Sequence, residues 1–118
     1  MKVGIVGSRG FGDLAQVARY VRGLQPGTVV VSGGALGVDS VAEKEAGRLG
    51  MATEIYRVDA EGAASRGEFA RRANARNQLI VDASDRLVAF WDGESRGTAD
   101  SIARARRAGK EVTVVMWT

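Results

Sequence analysis

At 118 residues, 45% hydrophobic and 26% charged, the chain fits one globular domain with a core of its own. It has no cysteine, which excludes disulfides and thiol catalysis, and no histidine, which removes the commonest general base and metal ligand. The net charge of +3 rests on 17 basic residues, 14 of them arginine, against 14 acidic ones; that balance is compatible with a nucleotide or nucleic-acid partner without demanding one.

The first strand is read from Met1 to Val6, and Gly7-Ser8-Arg9-Gly10-Phe11-Gly12 follows it at once. Leu14, Val17, Ala18, Val21 and Leu24 then recur at helical spacing behind Asp13, which is placed to cap that helix, and Gly23 to Gly27 with the only proline ends it. Thr28-Val29-Val30-Val31 is short, β-branched and bounded by glycines, the pattern of a buried second strand. Ser32-Gly33-Gly34-Ala35-Leu36-Gly37-Val38-Asp39 leads from it into a second helix marked by Val38, Val41, Ala42, Ala46 and Leu49.

Ala52 to Val58 reads as a third strand, and Asp59 to Gly67 as a mobile loop over the carboxyl end of the sheet. The third helix is expected from about Glu68 to Ala83, with Phe69, Ala73, Leu79 and Ile80 as its inner face. Arg86 to Trp91 gives strand four, Asp92 to Thr98 a second glycine-containing loop, Thr98 to Ala108 the fourth helix and Val112 to Trp117 strand five. Alternating strands and helices imply an α/β fold: one Rossmann-like domain over residues 1–118, with a parallel sheet of about five strands in the order 3-2-1-4-5 and helices on both faces.

In that order the loops after strands one, two and four share one rim, beside the crevice where such sheets bind ligands. Gly7, Ser8 and Arg9 offer backbone N–H groups, a hydroxyl and a guanidinium, a set suited to phosphate. The run Ser32, Gly33, Gly34, Ala35 and Gly37 offers N–H groups at a helix entrance, and Asp39 reads foremost as the cap of that helix. Arg72 and Arg76 lie four apart on one helical face, with Asn77 beside them, on a helix whose first turns reach the rim. Asp92 precedes Gly97 and Thr98, and Thr98 can cap the last helix. Trp91 or Phe90 could stack on a base at this rim, although core packing suits Phe90 better. The run Gly7-x-x-Gly-x-Gly orders its glycines differently from the dinucleotide fingerprint, which argues against a dehydrogenase. No cofactor and no metal site is expected.

Taken together, Gly7-Ser8-Arg9, Ser32-Gly33-Gly34-Ala35 with Gly37-Val38-Asp39, Arg76-Asn77 and Gly97-Thr98 resemble the SLOG superfamily, the Smf/DprA and Lonely Guy relatives, and most nearly its YspA-like branch. The resemblance implies a Rossmann-like fold that binds nucleotides or nucleotide-derived ligands at this rim. Its branches include phosphoribohydrolases, sensors of ADP-ribose-type signals and DNA-binding proteins. The enzymes carry a glutamate three residues after the Gly-Thr pair; Ser101 stands there in this chain, and Asp100 is one position off, about 100° around a helix.

The expected function is binding of a nucleotide or ADP-ribose-like ligand, as a sensor or sequestering module. The alternatives are an enzyme cleaving an N-glycosidic bond, with Arg76 and an acid among Asp39, Asp92 and Glu94, and a single-stranded nucleic-acid binder. A homodimer in the cytoplasm is expected, with no membrane partner.

Overall fold

The computed structural model describes residues 1–59 and 61–117. Nine elements alternate along it: β1 (Lys2–Gly7), α1 (Leu14–Arg22), β2 (Val29–Ser32), α2 (Val38–Arg48), β3 (Thr53–Ile55), α3 (Arg66–Ala83), β4 (Arg86–Trp91), α4 (Arg96–Arg107) and β5 (Glu111–Met116). The sheet is parallel in the order β3-β2-β1-β4-β5, as the alternation requires. Gly4 of β1 lies between Val31 of β2 and Leu87 of β4 at the centre of the sheet, and helices bury both faces there. That burial is why β1 and β4 are continuous apolar runs.

Two cores form, one per face. Val17 and Val21 of α1 and Val38, Ala42 and Ala46 of α2 close over Val3, Ile5, Val30, Val88 and Phe90. Ile80 and Val81 of α3 and Ile102 and Ala105 of α4 close over Val6, Val31, Leu87 and Ala89. The chain changes face between β3 and β4, where order along the sheet reverses around β1 and β4.

Several boundaries differ from the sequence reading. The third strand is only Thr53–Ile55 rather than 52–58. It is an edge strand, and after Tyr56 N–H donates to Ser32 O the backbone leaves the sheet. The third helix starts at Arg66, inside the stretch expected to be loop. Ser65 Oγ accepts from Glu68 N–H while Glu68 accepts from Ala64 N–H, which completes its cap. Residue 60 of that stretch lies outside the described residues.

The inner face of α3 is also corrected. Asn77, Ile80 and Val81 are buried, whereas Phe69 is 43% and Leu79 53% exposed. Leu79 points away from the stripe that Ile80 and Val81 define. Phe69 is on that stripe but too far along it: an 18-residue helix is about 27 Å long, against roughly 20 Å for a six-residue strand. The first turns of α3 therefore overhang the carboxyl rim.

Candidate functional site

At the rim, between the ends of β1 and β4, lies a cavity of about 550 Å³, within the ~300–1,000 Å³ common for small-molecule sites. Its walls come from the three glycine-containing loops and the overhanging turns of α3. Gly7, Arg9, Gly33, Gly34, Ala35, Asp39, Arg76, Asn77, Asp92, Gly97 and Thr98, all singled out in the sequence, line it. Ser8, Ser32, Gly37, Arg72 and Glu94 are not part of its wall.

The β2–α2 loop is held from behind by two carboxylates one helical turn apart. Asp39 Oδ2 accepts from Gly33 N–H and Ala35 N–H, both at 3.2 Å. Glu43 accepts from Gly34 N–H at 3.0 Å and from the Ser32 hydroxyl. The expected helix cap at Asp39 is thereby corrected: α2 has Gly37 at its N-cap with no side-chain cap bond, and Asp39 serves the loop instead. A second expectation changes with it. The N–H groups of Gly33, Gly34 and Ala35 are spent on Asp39 and Glu43, so they do not stand open for an anion.

Arg76 holds the same loop from the other side. Its Nη1 donates to Gly33 O at 2.7 Å and Tyr56 O at 3.3 Å, and its Nε to Asn77 Oδ1 at 3.1 Å. Only a bare Cα permits this, because a Cβ on Gly33 would collide with Arg76 Nη1 and lie 3.1 Å from Asp39 Oδ2. Burial lowers the Arg76 pKa, with Asp39 opposing. Burial drives the Asp39 pKa the other way, up to about 6, against the Ala35 hydrogen bond and the Arg76 charge. Asp39 Oδ1 is buried with no hydrogen-bond partner.

Arg72 does not share the direction of Arg76. It donates to Asp59 O at 2.8 Å, Glu61 O at 2.7 Å and Glu68 at 2.9 Å, strapping the incoming chain to α3.

The β4–α4 loop is built on Asp92. Its Oδ1 accepts from Glu94 N–H at 2.9 Å and Ser95 N–H at 2.8 Å, bonds that hold its carboxyl below the usual range. Ser95, rather than Thr98, caps α4. Thr98 is buried and shares a hydrogen bond with the Ser8 hydroxyl, which in turn accepts from Asp92 N–H. Ser8 thus joins two loops beneath the cavity. Asp100 is paired with Arg104 and Asn77, and Ser101 is buried with its hydroxyl on Gly97 O.

Gly97 is unlike the other glycines of the site. It lies in the first turn of α4 and in the cavity wall, and a Cβ there would meet nothing within 4 Å. The fold does not need glycine at this position. Its absent side chain leaves open the approach to a helix N-terminus, where N–H groups and the partial positive charge suit an anion.

Wall residues not singled out as site residues from the sequence include Leu36, Arg57, Phe69 and Asn74. Arg57 donates to Gly34 O at 3.0 Å, and Leu36 is 78% exposed on the loop. The aromatic residue of the cavity is Phe69. Phe90 is fully buried, and Trp91 packs in the core beneath α4 with its Nε1 donating to Ser95 O. The signal for Phe69 was its seven-residue spacing from Arg76 combined with a helix longer than the sheet it covers. Among the described residues no cluster of acids could hold a metal, and no helix is long and apolar enough to cross a membrane.

No family model matches the chain, and no curated protein does. Solved structures do. DNA processing protein A from Helicobacter pylori, characterised for its single-stranded DNA binding mode, superposes with a TM-score of 0.78 at 24% identity over 97% of this chain and 64% of that one. A predicted subunit of tRNA methyltransferase from Methanocaldococcus jannaschii superposes with a TM-score of 0.49 at 17% identity, over 97% of this chain and 67% of that one. The first likeness is one of fold, a Rossmann-like α/β domain on a five-stranded parallel sheet, and the chain spans about 64% of that protein's length.

Proposed function

We propose that the chain is a SLOG-type binding module, near the YspA-like branch, whose cavity takes one nucleotide unit: phosphate at the first turn of α4 and ring against Phe69. The observation that carries this reading is Gly97, a helical glycine in the cavity wall for which the fold has no use. Arg9, exposed on the β1–α1 loop, and the Arg76 Nη2 edge supply positive charge to the same space. Phe69 and Leu36 supply apolar surface for a base.

Isothermal titration with AMP, ADP, ADP-ribose and inorganic phosphate tests the reading on the wild type and on Gly97→Ala. The variant is expected to gain up to about 1 kcal/mol of stability from helix propensity and to lose at least tenfold in affinity. Undiminished affinity in Gly97→Ala would place the phosphate elsewhere.

The hydrolytic alternative has one observation in its favour, the elevated pKa of Asp39 in the cavity wall. Against it, Ser101 occupies the position of the enzymes' glutamate, and Asp92 is engaged by its own loop. Release of free base from nucleoside monophosphates is the assay that separates the two.

A further inference from the structure

The two edges of the sheet are built differently. Among the described residues no strand pairs with the outer side of β3 or of β5. β3 is three residues long and carries Glu54 at its middle, paired with Lys2. A short strand with a charge at its centre offers little for another strand to pair with. β5 is six residues long, and its only charge is Glu111 at the start. It contains no proline, and its register with β4 runs unbroken from Arg86↔Glu111 to Trp91↔Met116, so no bulge twists it away.

One hydrogen bond fixes which backbone groups of β5 stand free. Trp117 N–H donates to Trp91 O, and along a strand the residues that bond one neighbour alternate with those that face away. Glu111, Thr113 and Val115 therefore bond β4, while Val112, Val114 and Met116 turn their N–H and C=O groups outward. The side chains of Val112 and Val114 pack, half-buried, on the α3–α4 core. On α4, Asp100 and Arg104 mark the flank toward α3 through Asn77 and Gln78, so Ala99, Ala103 and Arg106 lie on the opposite flank, toward β5. Arg106 is exposed at one end of this open strip. At the other end the exposed Met116 packs beside Gly93, next to the exposed Glu94. The strip is apolar along its length, basic at the start of β5 and acidic at its end.

We infer that the outer edge of β5 is a self-association surface, on which β5 of a second copy pairs antiparallel about a twofold axis at Val114. Three hydrogen-bonded pairings then form: Val114 with its counterpart, and Val112 with Met116 in both directions. A twofold centred on another residue of the strand leaves at least one outward residue unpaired. The axis stands normal to the sheet, so α4 of both copies lies on one face. α4 runs antiparallel to β5, which sets Arg106 level with the start of its own β5 and with the end of the second copy's, where Glu94 is. The edge is complementary to itself in backbone and in charge, which selects a second copy over an unrelated strand.

Sedimentation equilibrium at tens of micromolar, read beside amide hydrogen exchange, tests the inference. The wild type is expected at twice the chain mass, with the amides of Val112, Val114 and Met116 protected and losing that protection on dilution. Those of Thr113 and Val115, bonded to β4, should stay protected throughout. Val114→Pro removes an outward N–H and no bond to β4, a change that edge strands tolerate, and should leave a folded monomer. Arg106→Glu, at an exposed side chain, should weaken the dimer about tenfold, and adding Glu94→Arg should restore most of the loss. A wild-type monomer at that concentration overturns the inference and leaves the edge to a strand of another protein. A dimer in which the Val112, Val114 and Met116 amides exchange freely overturns it as well. So does a double variant that associates no more tightly than Arg106→Glu.

Discussion

Asp39 is the residue on which loop, charge and burial converge. Its carboxyl is buried, gives one oxygen to Gly33 and Ala35 and leaves the other without a partner. Glu43, one turn on, adds a like charge, and Arg76 an opposite one. A group that titrates near 6 in the folded protein and at 3.8 ordinarily makes the folded form bind its proton first as pH falls. The penalty for the charged form is therefore full above pH 6 and relieved toward pH 4, by at most about 3 kcal/mol. Asp39→Asn keeps a carbonyl oxygen for the loop but carries no charge. Urea unfolding of both proteins between pH 4 and 7 should show the wild type gaining on the variant as pH falls below 6. A difference that stays flat across that range would mean that Asp39 is solvated. Arg48 holds the Glu45 carboxyl, and Lys2 that of Glu54, below the usual carboxylate range.

Among the elements, α3 contributes most to the site because it outruns the sheet. Its last two turns bury Ile80 and Val81 in a core; its first turns stand over the rim with nothing beneath them but the cavity. Arg76, where the helix passes from core to rim, ties it to the β2–α2 loop through Gly33 O and to the end of β3 through Tyr56 O. With Nε and Nη1 occupied, the guanidinium cannot offer a bidentate fork to phosphate unless it releases Gly33. Removing it leaves two carbonyls without a donor, at a cost of about 1–3 kcal/mol. Arg76→Ala should thus lower stability and nucleotide affinity together, Arg76→Lys should recover part of each, and Arg71→Ala, on the exposed side, should change neither. Thermal melts run beside titrations read all three. Affinity lost with no change in melting would return Arg76 to a direct phosphate contact.

For the whole molecule, the two cores and the rim are mechanically one. Phe90 is fully buried near the end of β4, with Phe11 at 5.4 Å and Tyr20 at 5.9 Å between ring centroids. Its carbonyl accepts from Ser8 N–H, so the residue that anchors the core also sets the β1–α1 loop. Phe90→Ala should cost about 3–5 kcal/mol, a large share of the roughly 5–15 kcal/mol available to a domain. Far-ultraviolet dichroism and the fluorescence of Trp91 and Trp117 should then report one coincident, earlier transition. Separated transitions would show that the rim unfolds independently of the core.

Element order, parallel pairing and the converging rim follow from local pattern. β-Branched runs bounded by glycines alternate with helical stripes, and a right-handed crossover leaves few ways to join them. The capping pattern Ser65-x-x-Glu68 is equally local, but it is set in a stretch whose glycines and charges read as loop. What local pattern cannot carry is which partner a polar group takes. Asp39 at a helix start caps in one fold and clasps a loop in another; the choice depends on where Gly33 and Arg76 arrive from residues 6 and 37 positions away. The same holds for Phe69, whose stripe is legible in the chain while the end of the sheet beneath it is not. Only the assembled tertiary structure decides where a helix outruns its sheet, and there a side chain patterned for the core becomes part of a binding wall.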